Sequence, residues 1–223
     1  MNINSLAENS SELGFYEVGK RLMDIFGAIV GIILFSPLMI IVALWIKIVS
    51  SGGPVLADTK KRVGKHNTEF TMFKFRSMIT NAEDWLKNHP DIYKKYQENS
   101  YKLDPDPRII KGGKFLRTSS IDELPQFFNI LFGDMSLVGP RAYFRFELNE
   151  QLQRFPQVED DLKIALTTKP GLTGAWQIGG RSKIGFVDRI KMDAKYAKKK
   201  SLLYDLMIVL KTPYVVLTKK GAV

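Results

Sequence analysis

Residues 25–46 read IFGAIVGIILFSPLMIIVALWI, a run without a formal charge. At ~1.5 Å of rise per residue such a helix covers a bilayer core of roughly 30 Å. A spanning helix is therefore the first reading. Two features oppose it. Pro37 lacks an N–H and crowds the carbonyl four residues back, which kinks an interior helix, and Ser36 can hydrogen-bond the freed carbonyl. Lys20 and Arg21 precede the run, while Lys47, Lys60, Lys61, Arg62 and Lys65 follow it. Short basic flanks mark the cytoplasmic side, and here both ends qualify. A span puts one flank on the wrong face. A chain that enters, bends at Ser36-Pro37 and returns satisfies both. The residues alone leave both forms open. A cleaved signal peptide is not expected, because no small-residue cleavage site precedes the charged segment.

The chain has 223 residues, 45% hydrophobic, and a net charge of +10. That accommodates the membrane segment plus one domain of ordinary size. A basic protein with an apolar run suits anionic lipid or phosphorylated small molecules. Nucleic acid is not expected, since there is no zinc-finger spacing and no basic helix with heptads. With no cysteine and only two histidines, His66 and His89, thiolate sites are excluded, and any metal must take oxygen ligands. That points to magnesium rather than zinc.

Three divisions are expected: a polar, loose tail over 1–14, the membrane helix and its lead-in over 15–49, and a catalytic domain over 50–223. Ser50-Ser-Gly-Gly-Pro54 ends the helix. Phe70–Arg76 alternates like a short strand. Helices are expected over 81–88, 121–131, 144–155, 186–197 and 202–217, the last interrupted near Pro213. Residues 169–181 are glycine-rich and irregular. The fold class is α-dominated α+β with little strand.

The sharpest chemical signal is TSSIDELPQ at 118–126. It places Asp122 and Glu123 at the start of a helix. Ser120-x-x-Glu123 also fits a capping box, and acids in a first turn suit the helix dipole. A functional reading makes the pair a magnesium site, or a nucleophile and its partner. Arg108, Lys111, Lys114 and Arg117 precede the pair, Arg141 follows it in Val-Gly-Pro-Arg, and Arg181 ends the glycine-rich segment. Arginine grips phosphate bidentately. A positive belt facing anionic lipid is the alternative use. Gly139 permits a tight turn there. Trp176 is open to two readings, a platform for a base or sugar, or a packing residue. Lys198–Lys200 beside Leu202, Leu203, Leu206, Met207 and Leu210 forms either a core face or an interfacial helix.

Together these segments resemble the monotopic phosphoglycosyl transferases, the bacterial sugar transferase family. The likeness covers nearly the whole chain from Lys20 to Ala222, in family order: KRLMDI at 20–25, FSPL at 35–38, FKFRSM at 73–78, DPR at 106–108, LRTSSIDELPQFFNILFGDMSLVGPR at 116–141, KPGLTGAWQIGGRS at 169–182 and DLMIVLKT at 205–212. The resemblance implies a re-entrant membrane helix broken at Ser36-Pro37, with both ends cytoplasmic, and a compact catalytic domain on the cytoplasmic face of the bacterial cell membrane with interfacial amphipathic helices. It implies transfer of a sugar-1-phosphate from a UDP-sugar to polyprenyl phosphate, with UMP released, at the start of exopolysaccharide, capsule or other glycoconjugate synthesis. Asp122 looks like the nucleophile that carries a phosphosugar, Glu123 its partner at a magnesium site that both residues line, and Arg141 the phosphate-binding arginine. Lys74, Arg117, Arg181 and Asp205 fall on positions expected to line the site. A homo-oligomer and downstream glycosyltransferases are left open as partners. Two rival readings stand: a glycosyltransferase that releases UDP, and a non-catalytic membrane-surface binding protein. The chain departs from the family pattern at Lys60, where glutamine is common, at Ala142, where proline follows the arginine, and at Ala175, where a larger residue is frequent. None of these touches the acid pair. The sequence resembles the compact form of the family and does not disclose the sugar.

Overall fold

The computed structural model describes residues 3–57, 61–99, 103–181 and 184–218. Lys60 and Ser182 lie outside them. The first element, α1 (Ile3–Val49), is a single helix that runs through Pro37. The interruption expected at Ser36-Pro37 is thus not a gap in the helix. Pro37 leaves the Ile33 carbonyl without its ordinary donor, and Ser36 Oγ donates to that carbonyl at 3.0 Å. Within the stretch 1–14, expected as a loose tail, α1 starts at Ile3. Leu6, Ala7, Glu8, Glu12 and Leu13 are strong helix formers, and no glycine or proline precedes Gly14.

One face of α1 is buried, with Ala28, Met39, Val42 and Ile46 turned inward. Phe26, Ile33, Leu34, Leu44 and Ile48 remain exposed on the other side. The helix is docked along its length. Near its start Arg21 donates to the carbonyls of Ile130 and Leu131 at 2.7 and 2.8 Å. A cation placed there suits the C-terminus of a helix. In the middle Phe35 stacks on Phe127, ring centroids 6.1 Å apart. Gly31 makes room for that ring, since a Cβ would come 2.5 Å from it. Near the end Ile46 is buried with Phe75 and Leu116. The breaker cluster after α1 is held by Arg76, which donates to the Pro54 carbonyl at 2.6 Å, to Ser50 Oγ at 2.7 Å and to the Ser50 carbonyl.

Strand is scarce. β1 (Arg62–Val63) pairs antiparallel with β2 (Glu69–Phe70). Of the strand expected over 70–76, Phe70 alone lies in β2, and Phe75 makes an isolated bridge with Leu56. The rest is extended chain whose partners are not strands. The Asn129 side chain accepts from Phe73 N at 2.8 Å and donates to the Thr71 carbonyl at 2.8 Å. One buried amide thereby replaces a ladder. Phe75 N donates to the Asp122 carbonyl at 2.8 Å.

Helices α2 (Ala82–Lys87), α3 (Pro90–Glu98) and α4 (Gly113–Thr118) lead to the acid segment. The single helix expected over 121–131 is split. Ile121–Glu123 is a turn of 3-10 helix, and α5 (Gln126–Phe132) starts after Pro125. β3 (Ser136–Val138) pairs in parallel with β4 (Gly171–Thr173), and α6 (Arg145–Arg154) and α7 (Glu159–Ala165) form the crossover. Gly139 is required by close approach rather than by turning. A Cβ there would lie 2.2 Å from the Lys169 carbonyl oxygen. The region expected to be irregular over 169–181 therefore holds β4 and a short helix, α8 (Ala175–Gly179). α9 (Phe186–Lys199) packs with α7 and the strand entry around Val63, Tyr143, Leu148, Val158, Leu162 and Ile190. α10 (Leu202–Leu217) runs through Pro213, which sits on its exposed side, rather than breaking there.

Candidate active site

The acid pair sits in the short 3-10 turn, and its backbone differs from a capped helix start. Ser120 has φ 59° and no side-chain cap. Its Oγ instead accepts from Arg181 Nη2 at 2.8 Å. The capping-box reading is thereby removed, and Ser120 serves to hold an arginine beside the acids.

Asp122 is 1% exposed. Lys74 Nζ lies 2.9 Å from Asp122 Oδ2 and donates to Glu123 Oε1 at 3.2 Å. The contact with Asp122 is a close ion pair, and Lys74 is shared between the two carboxylates. Phe73 and Phe75 flank Lys74 on an extended segment, which turns the lysine to the opposite side from the two rings. Burial pushes the Asp122 carboxyl above the usual carboxylate range, and Lys74 opposes it without cancelling it. Glu123 is partly exposed. Burial pushes it up, but Lys74, Arg141 and Arg181 together hold it below its ordinary value. Burial works against the Lys74 ammonium, and the two acids overcome it and raise its pKa. The two neighbours are thus driven apart, the pattern expected of carboxylates with different tasks.

Around the pair, buried guanidinium nitrogens stand without partners: Arg62 Nε, Arg141 Nε, Arg181 Nη1 and Arg189 Nε. Buried donors are nearly always satisfied, so a cluster of orphans signals a missing acceptor. Arg141 is fixed through its backbone N–H, which donates to Asp193 Oδ2 at 3.1 Å. Its guanidinium lies 5.2 Å from the Trp176 ring centre, and that of Arg189 lies 4.8 Å from it. Trp176 is buried. Of the two readings open for it, packing fits: it holds two arginines rather than offering a free face to a base. Burial and the charge of Arg141 push Arg62 down to about 10.

The structure brings Lys74, Asp122, Glu123, Arg141 and Arg181 together. Arg117 is exposed, near enough for its charge to draw the Asp122 carboxyl downward. Arg108 is spent on a pair with Asp106 at 2.7 Å, and Lys114 on an exposed pair with Asp104 at 3.1 Å. Asp205, expected to line the site, joins a different cluster. It accepts from Tyr196 Oη at 2.6 Å and Tyr16 Oη at 3.0 Å, and Lys20 Nζ lies 3.2 Å away. Arg62, Arg189 and Asp193 were not singled out as site residues. The signal for Arg62 was its place in a basic run, where it counted only as a topology flank. Nothing in the local sequence marks Asp193, which meets Arg141 across 52 positions of chain.

Among the described residues there is no group of three or more acidic or histidine ligands. Two adjacent carboxylates are the donor type that magnesium takes, since it commonly uses one or two carboxylates and completes its shell with water and substrate phosphate, and here Lys74 Nζ stands between them, 2.9 Å from Asp122 Oδ2 and 3.2 Å from Glu123 Oε1.

Residues 15–219 match the family described as bacterial sugar transferase. Over 223 residues the chain is 42% identical to undecaprenyl-phosphate galactose phosphotransferase of Salmonella typhimurium, covering 98% of this chain and 44% of that protein. It is 36% identical to the exopolysaccharide production protein ExoY of Rhizobium meliloti, covering 92% of this chain and 88% of that one. It is 39% identical to a UDP-N-acetylgalactosamine-undecaprenyl-phosphate N-acetylgalactosaminephosphotransferase of Aeromonas hydrophila, covering 93% and 45%. The chain thus spans less than half of several relatives and most of another. It belongs to the bacterial sugar transferase family.

Proposed function

We propose that this chain transfers a sugar-1-phosphate from a UDP-sugar to polyprenyl phosphate in two steps at a membrane surface. The observation that carries the reading is Asp122: buried, paired with the Lys74 ammonium at 2.9 Å, and near Arg141 and Arg181, each of which keeps a buried guanidinium nitrogen without a partner. In the first step a carboxylate oxygen of Asp122 attacks the phosphorus that bears the sugar. The bond to the bridging oxygen breaks, and UMP leaves with that electron pair. In the second step a phosphate oxygen of the lipid attacks the same phosphorus, and the bond to Asp122 breaks to restore the carboxylate. Such transfers depend on positioning and charge neutralisation more than on acid–base relays. Lys74 shields the approach of phosphate to two carboxylates, and Arg141 and Arg181 supply donors for phosphate oxygens. A magnesium held by Asp122 and Glu123 would add charge neutralisation at the diphosphate.

The docking of α1 bears on the membrane arrangement. Arg21 and Ile46 both dock on the same domain, yet ~1.5 Å per residue separates them by more than a roughly 30 Å bilayer core if the helix is straight. A domain on one face cannot hold both ends of a spanning helix. This supports the re-entrant reading, with both flanks on the cytoplasmic face and the exposed apolar side of α1 in lipid. The relatives named for galactose and N-acetylgalactosamine transfer define the panel of donors to test.

The test is incubation with UDP-glucose, UDP-galactose and UDP-N-acetylated sugars plus undecaprenyl phosphate. UMP release supports the reading. UDP release points to a plain glycosyltransferase, and no nucleotide product to a binding protein.

A further inference from the structure

One ammonium serves both members of the acid pair, with Lys74 Nζ 2.9 Å from Asp122 Oδ2 and 3.2 Å from Glu123 Oε1. The lysine cannot withdraw as a unit, because its backbone is pinned along its length. Phe73 N donates to the Asn129 side chain at 2.8 Å. The Lys74 carbonyl accepts from Ala57 N at 2.8 Å, and Phe75 N donates to the Asp122 carbonyl at 2.8 Å. Only the side chain can move. It is 24% exposed, whereas that of Asp122 is 1% exposed, and its flexible four-carbon stem lets the ammonium swing outward.

A small divalent ion meets carboxylate oxygens at about 2.0–2.1 Å, and the two oxygens that attract it are the ones Lys74 already holds. Ammonium and ion cannot share that gap, since like charges ~3 Å apart repel strongly away from bulk water. They are alternatives. An ammonium that leaves gives up both of its acceptors at once, and a partly buried charge without an acceptor is costly. A diphosphate supplies new acceptors at the moment they are needed. We infer that Lys74 is an internal stand-in for the metal, which keeps a lone divalent ion off the acid pair and yields to one that arrives with a nucleoside diphosphate. The inference rests on the proposed transfer reaction and deepens it, because it assigns the donor substrate its form on arrival, as the metal complex. By linkage, the affinity that the ion gains from the diphosphate equals what the diphosphate gains from the ion, and Lys74 sets much of that coupling.

The test reads Mn2+ binding to the full chain in lipid nanodiscs by electron paramagnetic resonance, with and without UDP, which has the diphosphate and no sugar to transfer. The wild-type chain should bind Mn2+ about tenfold tighter or more when UDP is present. Lys74→Met keeps the stem and removes the charge. It should bind Mn2+ alone about tenfold tighter than the wild type, and the gain from UDP should shrink by a similar factor. Arg117→Gln removes an exposed cation whose charge also reaches Asp122, and it should change Mn2+ affinity by less than about threefold, as a screened charge does. Equal effects of the two substitutions overturn the inference, since Lys74 then acts only through its field. So does Mn2+ binding by Lys74→Met that is no tighter than in the wild type. A thermal melt checks that Lys74→Met is folded. If it is not, the wild type decides, and a coupling between Mn2+ and UDP below about threefold overturns the inference. UMP release from a UDP-sugar is read separately. Its absence defeats the transfer reaction, whereas Mn2+ binding alone decides the role of Lys74.

Discussion

Asp122, in a 3-10 turn, and Asp205, in α10, are both buried aspartates, 1% and 0% exposed. They differ in what surrounds their oxygens. Both oxygens of Asp205 accept hydrogen bonds from tyrosines, and Lys20 adds its charge. Asp122 Oδ2 is met by one cation, Lys74 at 2.9 Å, which it shares with Glu123. The Asp205 cluster joins α1, α9 and α10, and through Tyr196 Oη, 3.1 Å from the Val138 carbonyl, it reaches β3. A satisfied buried charge of this kind fixes geometry, and an unsatisfied one holds capacity for a ligand or a bond.

The contrast breaks most sharply at Asp122. Asp122→Asn should lower UMP release on the order of a thousandfold or more, with the melting temperature held or raised, because burial already disfavours the charge there. Radiolabelled UDP-sugar and a thermal melt read the two quantities, and retained activity would remove Asp122 as nucleophile. Asp205→Ala should do the reverse. It takes the acceptor from Tyr16, while Lys20 keeps Asp24 and Tyr196 keeps the Val138 carbonyl, a loss on the order of 1–3 kcal/mol in unfolding experiments, and the properly folded fraction keeps its UMP release per molecule.

Asp193 is an intermediate case. One oxygen accepts from Arg141 N and the other has no partner, and burial pushes the carboxyl up to about 7. Between the ordinary carboxylate value near 4 and 7, the folded chain keeps a proton that the unfolded chain has lost. Stability should therefore be greatest at the acid end of this window, fall as pH rises through it, and level off above. Asp193→Asn should flatten that part of the pH–stability curve, and an unchanged slope would assign the dependence elsewhere. The smallest effect is expected at Ser36. Ser36→Ala removes the donor to the Ile33 carbonyl and should cost about 0.5–1 kcal/mol in detergent, with activity kept.

The sequence carried the features set by local chemistry. The apolar run, its ending at Ser50, the proline–serine pairing and the acid pair were legible because each depends on neighbours in the chain. The capping box was a fair local inference that failed because Ser120 is bound by an arginine 61 positions away. Asp205, expected to line the site, is met instead by Tyr16 and Lys20 from the other end of the chain and by Tyr196, contacts that its own motif does not disclose. The parallel pairing of β3 with β4 and the strand-like role of Asn129 are also long-range, and short elements leave little periodicity to read.

The charges that flank the apolar run have a history in time as well as a place in space. Arg21 is bound to carbonyls 109 and 110 positions further on, and Lys20 to Asp205 near the far end. During synthesis from the N-terminus those acceptors do not yet exist when the run leaves the ribosome. Lys20 has Asp24 beside it one turn on, but Arg21 is uncommitted for that interval, a charge of the kind that orients a nascent helix. Later it is drawn into the folded domain. Arg21 would then act first as an address and afterwards as a fastening, so Arg21→Gln is expected to affect two separate events, insertion early and docking late.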